Sequence, residues 1–327
     1  MKKTILIAGL CCLAGFIIMV VLLIISRGDG AMFNSKDARY EQREYECREK
    51  TDEIYILSSS DSIKLLSGDV DKVKITYWER PGKHEYDLNE SGGKLSLTRK
   101  DLKNINWGIY IGYQDTSIVV TVPKDFNGAL DLNASSGSIE AKNTNAEYLT
   151  TNNSSGSVRV SNINSQNAVH CKNTSGSIRF ENLTATDVTA QNNSGSIKME
   201  DVNANGILSA ENTSGSIHLT DVVATKDITC KNNSGSINFD RVTTDGSVNA
   251  ANTSGGVHFE SLKAGGNITL KATSGSVKGS IIGKESDYSI LSKTTTGGNN
   301  LTDSRNGSKE LNVNTTSGSI KINFEDF

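Results

Sequence analysis

From residue 133 onward, apolar and polar positions recur in a pattern that repeats every 19 to 22 residues. A Ser-Gly-Ser-Ile-like corner marks the period, with its glycine at Gly137, Gly156, Gly176, Gly195, Gly215, Gly235, Gly255, Gly275, a degenerate Gly297, and Gly318. Two positions after the glycine stands Ile139, Val158, Ile178, Ile197, Ile217, Ile237, Val257, Val277 or Ile320, and four after comes a mostly apolar residue such as Phe180, Leu219 or Phe259. A second alternating pair precedes the glycine by seven and five positions, for example Val169 with Cys171, or Ile268 with Leu270. Alternation of period two predicts strands with one inward face. Each repeat therefore has two inward-facing strand segments, and a lone apolar residue seven after the glycine (Ile163, Leu183, Val202, Val222, Val242, Leu262, Ile282) suggests a third, shorter face. One repeat cannot cover its own apolar set; stacked repeats can. The expected fold is all-β, a parallel β-solenoid (β-helix) of about ten rungs of about twenty residues over 133–327.

Before the repeats the pattern changes. Segments 53–57, 62–66, 72–78, 94–98, 105–111 and 117–122 alternate apolar or aromatic with polar residues but lack the corner, which predicts a β-rich N-terminal cap over 53–132. Residues 28–52 form a charged juxtamembrane linker, densely charged with both signs over 33–52, where helix and extended stalk are both open. Residues 4–26, TILIAGLCCLAGFIIMVVLLIIS, carry no charge and are long enough to cross a bilayer core of about 30 Å. This is longer than a secretory h-region, so an uncleaved anchor over 1–27 is expected. Lys2 and Lys3 before it put the N-terminus in the cytoplasm and the repeats outside: a single-pass protein of the cell membrane.

Composition adds a few constraints. Both prolines, Pro81 and Pro123, precede the repeats, as a strand ladder requires. Cys171 and Cys230 occupy one repeat position three rungs apart, about 14 Å at strand spacing, which is too far to bridge. They are expected as free thiols in the core. Asn153, Asn173, Asn192, Asn212, Asn232 and Asn252 stand three before the glycines and are expected to form a side-chain amide ladder along the axis.

The N-terminal span, the segment Ile118-Val119-Val120-Thr121-Val122-Pro123 and the run Asn133-Ala-Ser-Ser-Gly-Ser-Ile139 with its iterated corners together resemble the bacterial LiaG-like "putative adhesin" family of β-strand-repeat proteins. The resemblance covers about residues 45 to 327. It implies a cell-envelope protein, sometimes encoded beside envelope-stress regulators, with no established activity.

Chemistry is sparse. His84, His170, His218 and His258 stand in no metal-ligand spacing and near no nucleophile motif, so neither a catalytic centre, a metal site nor a cofactor is expected. The one outward feature is a basic stripe three after the glycines: Arg159, Arg179, Lys198, His218, Asn238, His258, Lys278 and Lys321. At about 4.8 Å per rung it could follow an anionic polymer. Glu181, Glu200, Asp240 and Glu260, two residues farther on, are placed to neutralise it. The leading expectation is a non-enzymatic, membrane-anchored extracellular envelope protein, adhesin-like or associated with envelope stress. Its expected partners are the membrane, through the N-terminal helix, and a cell-wall polymer, glycan or envelope protein; nothing points to nucleic acid. The alternatives are a carbohydrate-active β-helix enzyme, which needs convergent acids, and a self-assembling envelope scaffold joined through an exposed terminal rung.

Overall fold

A computed structural model of the chain describes residues 40–100 and 115–325. The expected membrane span and the expected strand at 105–111 lie outside those residues. Among the described residues no helix is long and apolar enough to cross a membrane.

The described residues form an all-β parallel solenoid of about nine turns, slightly fewer than the ten rungs expected. Two sheets of thirteen strands face each other along its length. A typical turn places Ile178–Ala185 in the first sheet and Val188–Ser194 in the second. Both strands pair in parallel and in register with the turns on either side. Ile178, Phe180, Leu183, Ala185, Val188 and Ala190 all point inward and are fully buried. Each large side chain among them contributes about 1.5–3 kcal/mol by leaving water.

The expected third face is the second half of the first-sheet strand. Asn143, Asn162, Asn182, Asp201, Asp221, Arg241 and Ser261, six after each corner glycine, have left-handed φ values of 50° to 54°. Asn and Asp tolerate this conformation best because their short polar side chains bond locally. The bend turns the next inward positions, such as Leu183 and Ala185, onto a new face without interrupting the ladder. The turn starting at Val277 has no such bend, and its register slips between Phe259 and Leu262. Ile281 rather than Ile282 therefore lies opposite Leu262 and is buried.

At the corners, Gly156 through Gly255 adopt φ values of +98° to +127°. A Cβ on any of the glycines 156, 176, 195, 215, 235 and 255 would lie 2.1–2.6 Å from the carbonyl oxygen of the previous corner glycine. Glycine is thus required twice, by dihedral and by contact. The asparagine row does not form the expected amide-to-amide ladder. Each Asn Nδ2 donates to the carbonyl of the preceding corner glycine, as from Asn173 to Gly156 and from Asn212 to Gly195, both at 2.9 Å. The Oδ1 atoms of all six asparagines are buried without a protein partner. The backbone carbonyl wins because the tight corner presents it directly beneath the amide.

Both ends depart from sequential stacking. At one end the strands Glu53–Ser58 and Ile63–Gly68 lie inside Lys94–Arg99 and Ile118–Pro123, so the expected cap segment already belongs to the stack. The antiparallel strands Glu41–Glu46 and Tyr86–Ser91 close that end. Within the expected linker, residues 41–46 form an edge strand whose exposed charges suit an edge that must not pair further. At the other end Lys309–Ser317 inserts between Ile268–Ser274 and Tyr288–Thr296. The corners there stack in the order Gly275, Gly318, Gly297, not in chain order.

Candidate functional site

The basic stripe is real as geometry. Arg159, Arg179, Lys198, His218, Asn238, His258, Lys278 and Lys321 face one another in register on the outside of the first sheet. Its middle is discharged by neighbours. Arg179 pairs with Glu181 and, at 3.2 Å, with Glu200, which also takes Lys198 at 3.1 Å. Burial, helped by the charge of Lys198, holds the His218 imidazole below its ordinary pKa, which favours its neutral form. Arg159, Lys278 and Lys321 make no ion pair with the described residues, but they stand toward opposite ends of the stripe.

The second sheet carries a different surface. Residues four before each corner, Asn133, Asn152, Lys172, Gln191, Glu211 and Lys231, form one outward row. Ser154, Thr174, Asn193, Thr213 and Asn233 form the next, and the buried asparagine row lies beneath both. The rows wall a groove of about 940 Å³ running along the rod from Leu57 to Asn233. It crosses seven successive strands, about 29 Å at strand spacing. Asn152 Nδ2 donates to Asn133 Oδ1 at 2.8 Å, Thr213 Oγ1 to Asn193 Oδ1 at 3.1 Å, and Lys231 pairs with Glu211 at 3.0 Å. Much of the remaining amide and hydroxyl capacity faces solvent. Sequence reading missed this groove, because its residues are individually ordinary and only their stacking makes a channel.

A third cluster, also missed, lies under the cap. Asp61 occupies the corner-glycine position of the inner rung, in the run Ser60-Asp61-Ser62-Ile63, and a Cβ on Gly137 would meet its carbonyl at 2.2 Å. The misread signal was a corner motif with Asp in place of Gly. His84 Nε2 stands 2.6 Å from Asp61 Oδ2, and Tyr86 and Thr116 donate hydroxyls to the same carboxylate. Burial raises the Asp61 pKa, but the contacts from His84, Thr116 and Tyr86 outweigh it and hold the group below the usual carboxylate range. Burial and the Asp61 charge push the Tyr86 phenol far up. The set includes Ser, His and Asp, yet Ser58 Oγ bonds Tyr86 at 3.1 Å, and Ser58, Asp61 and His84 are 0%, 3% and 5% exposed. No substrate reaches them. The cluster ties the cap to the stack.

Cys171 and Cys230 are buried and free, as expected, and burial pushes the Cys171 thiol up to about 12. Among the described residues no group of three or more His, Cys, Asp or Glu side chains is placed to hold a metal.

Several solved structures are similar to this chain. One, titled a "putative adhesin" from Bacteroides fragilis, shares 16% identity at a TM-score of 0.46, over 69% of this chain and 97% of that one. Another, titled a "putative lipid binding protein" from Parabacteroides distasonis, shares 16% identity at a TM-score of 0.44, over 88% of this chain and 97% of that one. A third, also from Parabacteroides distasonis and titled a "putative adhesin", shares 12% identity at a TM-score of 0.33, over 87% and 98%. No curated protein matches the chain. The Toastrack DUF4097 family model matches residues 51–323, from the inner rung that carries Asp61 to the last strand of the first sheet, and the chain belongs to that family.

Proposed function

We propose that this protein is a non-enzymatic, membrane-anchored component of the bacterial envelope that presents a rigid β-solenoid outside the cell as an adhesin-like surface. The observation that carries this reading is the pair of thirteen-stranded sheets whose regular chemistry, row upon row of polar side chains, faces outward along the whole rod. The uncharged run at 4–26 supplies the anchor, and Lys2 and Lys3 favour the orientation with the rod outside. A catalytic reading has less support, since Glu181 and Glu200 are tied to Arg179 and Lys198 and Asp61 is closed to solvent.

The self-assembling scaffold is disfavoured by the covered end. Ile290 and Ser304 exchange backbone hydrogen bonds at 3.0 Å, and Asp303 accepts from the Ser292 amide at 2.8 Å, which shields the edge of the second sheet. Asn300 takes the amide and carbonyl of Ile322 with its side chain at 2.9 and 2.8 Å, shielding part of the other edge. The test is deletion of the gene with protease shaving of intact cells. Solenoid peptides released by shaving, together with altered surface attachment or altered response to wall-active agents on deletion, are expected. A protease-protected solenoid, or unchanged attachment and response, overturns the reading.

A further inference from the structure

The groove on the second sheet and the stripe on the first have opposite characters. Over about 29 Å the groove carries three charged side chains, Lys172, Glu211 and Lys231, and the last two neutralise each other. A polyanion needs a cation at each repeat, and the groove offers one unpaired cation, Lys172, over its full length. What repeats instead is uncharged hydrogen-bonding capacity. Asn and Gln side chains each present donors and an acceptor, and Thr and Ser present both on one atom. These groups recur at each strand, a step of about 4.8 Å, close to the length of one pyranose ring in an extended glycan. The surface is preformed by the parallel backbone pairing of the second sheet, so a ligand laid along it requires no ordering of the backbone.

We propose that this groove binds a linear, uncharged polysaccharide lying parallel to the rod axis, with roughly one sugar per turn held by the amide and hydroxyl rows. The proposal rests on the reading of the protein as an envelope display surface and names the ligand class that surface takes. Asn152, Gln191 and Thr213 stand on the groove walls, and Leu57 forms an apolar end against which a terminal ring can rest.

The test is calorimetric titration of the full-length chain in detergent with cellohexaose, chitohexaose and their dimers, beside teichoic acid as a polyanion. The hexamers are expected to bind at least tenfold more tightly than the dimers, since only they span the successive strands. The triple variant Asn152→Ala, Gln191→Ala, Thr213→Ala removes two exposed side-chain hydrogen bonds, to Asn133 and Asn193, so it should stay folded with a slightly lowered unfolding temperature while losing at least tenfold in hexamer affinity. Arg159→Gln, on the opposite sheet, should leave that affinity unchanged. Equal binding of dimer and hexamer, no oligosaccharide binding, or preference for teichoic acid abolished by Arg159→Gln overturns the groove. None of those results touches the display reading, which stands or falls on shaving and deletion. Hexamer binding in a strain whose deletion leaves attachment and wall response unchanged would leave the groove and remove the display role.

Discussion

The middle of the rod and its two ends solve different problems with the same strands. Between Ile139 and Ser254 each turn repeats its neighbour: a glycine at the corner, an asparagine bonding the previous glycine's carbonyl, a left-handed bend, and inward apolar side chains. Nothing there is unique to one turn, so each interaction serves the next turn as well. At the ends the neighbour is missing on one side, and the chain substitutes particular solutions. Asp61 and Thr116 replace the glycine, rungs interleave out of order, and loops cover the edges. Repetition stabilises the middle; singular contacts terminate it.

That contrast can be broken most severely at a central corner. Gly215→Val places a β-branched side chain at φ +112°, 2.2 Å from the Gly195 carbonyl, and is expected to cost at least about 5 kcal/mol in denaturant unfolding. Asp61→Ala attacks the end instead. It leaves His84 and Tyr86 buried without their shared acceptor, at a cost of about 3 kcal/mol. Hydrogen exchange should show protection lost over 53–68 and 118–134 while the central turns keep theirs; uniform loss along the rod would refute the separation.

A gentler probe of the repeated corner is Asn212→Ala, expected to cost about 1 kcal/mol because one hydrogen bond to Gly195 is lost. Asn212→Thr should cost only about a few tenths of that bond's ~1 kcal/mol. Thr294 and Thr315 already make the equivalent bond to Gly318 and Gly275 at 2.7 Å.

The smallest effect expected is that of pH. The folded Asp61 carboxyl titrates below its unfolded value, so its stabilisation is complete above roughly pH 4 and is lost as the pH falls through the lower folded value. Exchange in the cap should therefore accelerate in that acid window, and Asp61→Asn should abolish the dependence. An acid response of the central turns that survives Asp61→Asn would place the sensitive group elsewhere.

The repeated part of the fold was legible because each inward residue recurs at fixed distance from a glycine, and Ile178, Phe180 and Leu183 are buried as their positions demanded. The bend at Asn182 was legible only as an apolar position out of phase, since a left-handed residue in a strand changes the face without leaving a gap in the pattern. Spatial order at the ends was not legible, because Gly297 and Gly318 carry similar corners and nothing in their local sequence says which packs on Gly275. The stripe through Arg159, Arg179 and Lys198 was legible as a row, and so was the neutralisation of its middle by Glu181 and Glu200, whereas Asp240 pairs with Arg241 instead. The groove and the Asp61 cluster were hidden because each depends on residues meeting across turns, Asp61 with His84 above all.

The inserted strand Lys309–Ser317 has a consequence for how the molecule is made. Each central rung can settle on the one before it as the chain is synthesised. The segment 288–296 cannot, because its partner in the second sheet is 309–317, which emerges later. Until that strand slides in, the rod has an open end that a protease or another chain can grip. A product cut short before residue 309 therefore leaves Tyr288–Thr296 without its parallel partner and ends in an unpaired edge.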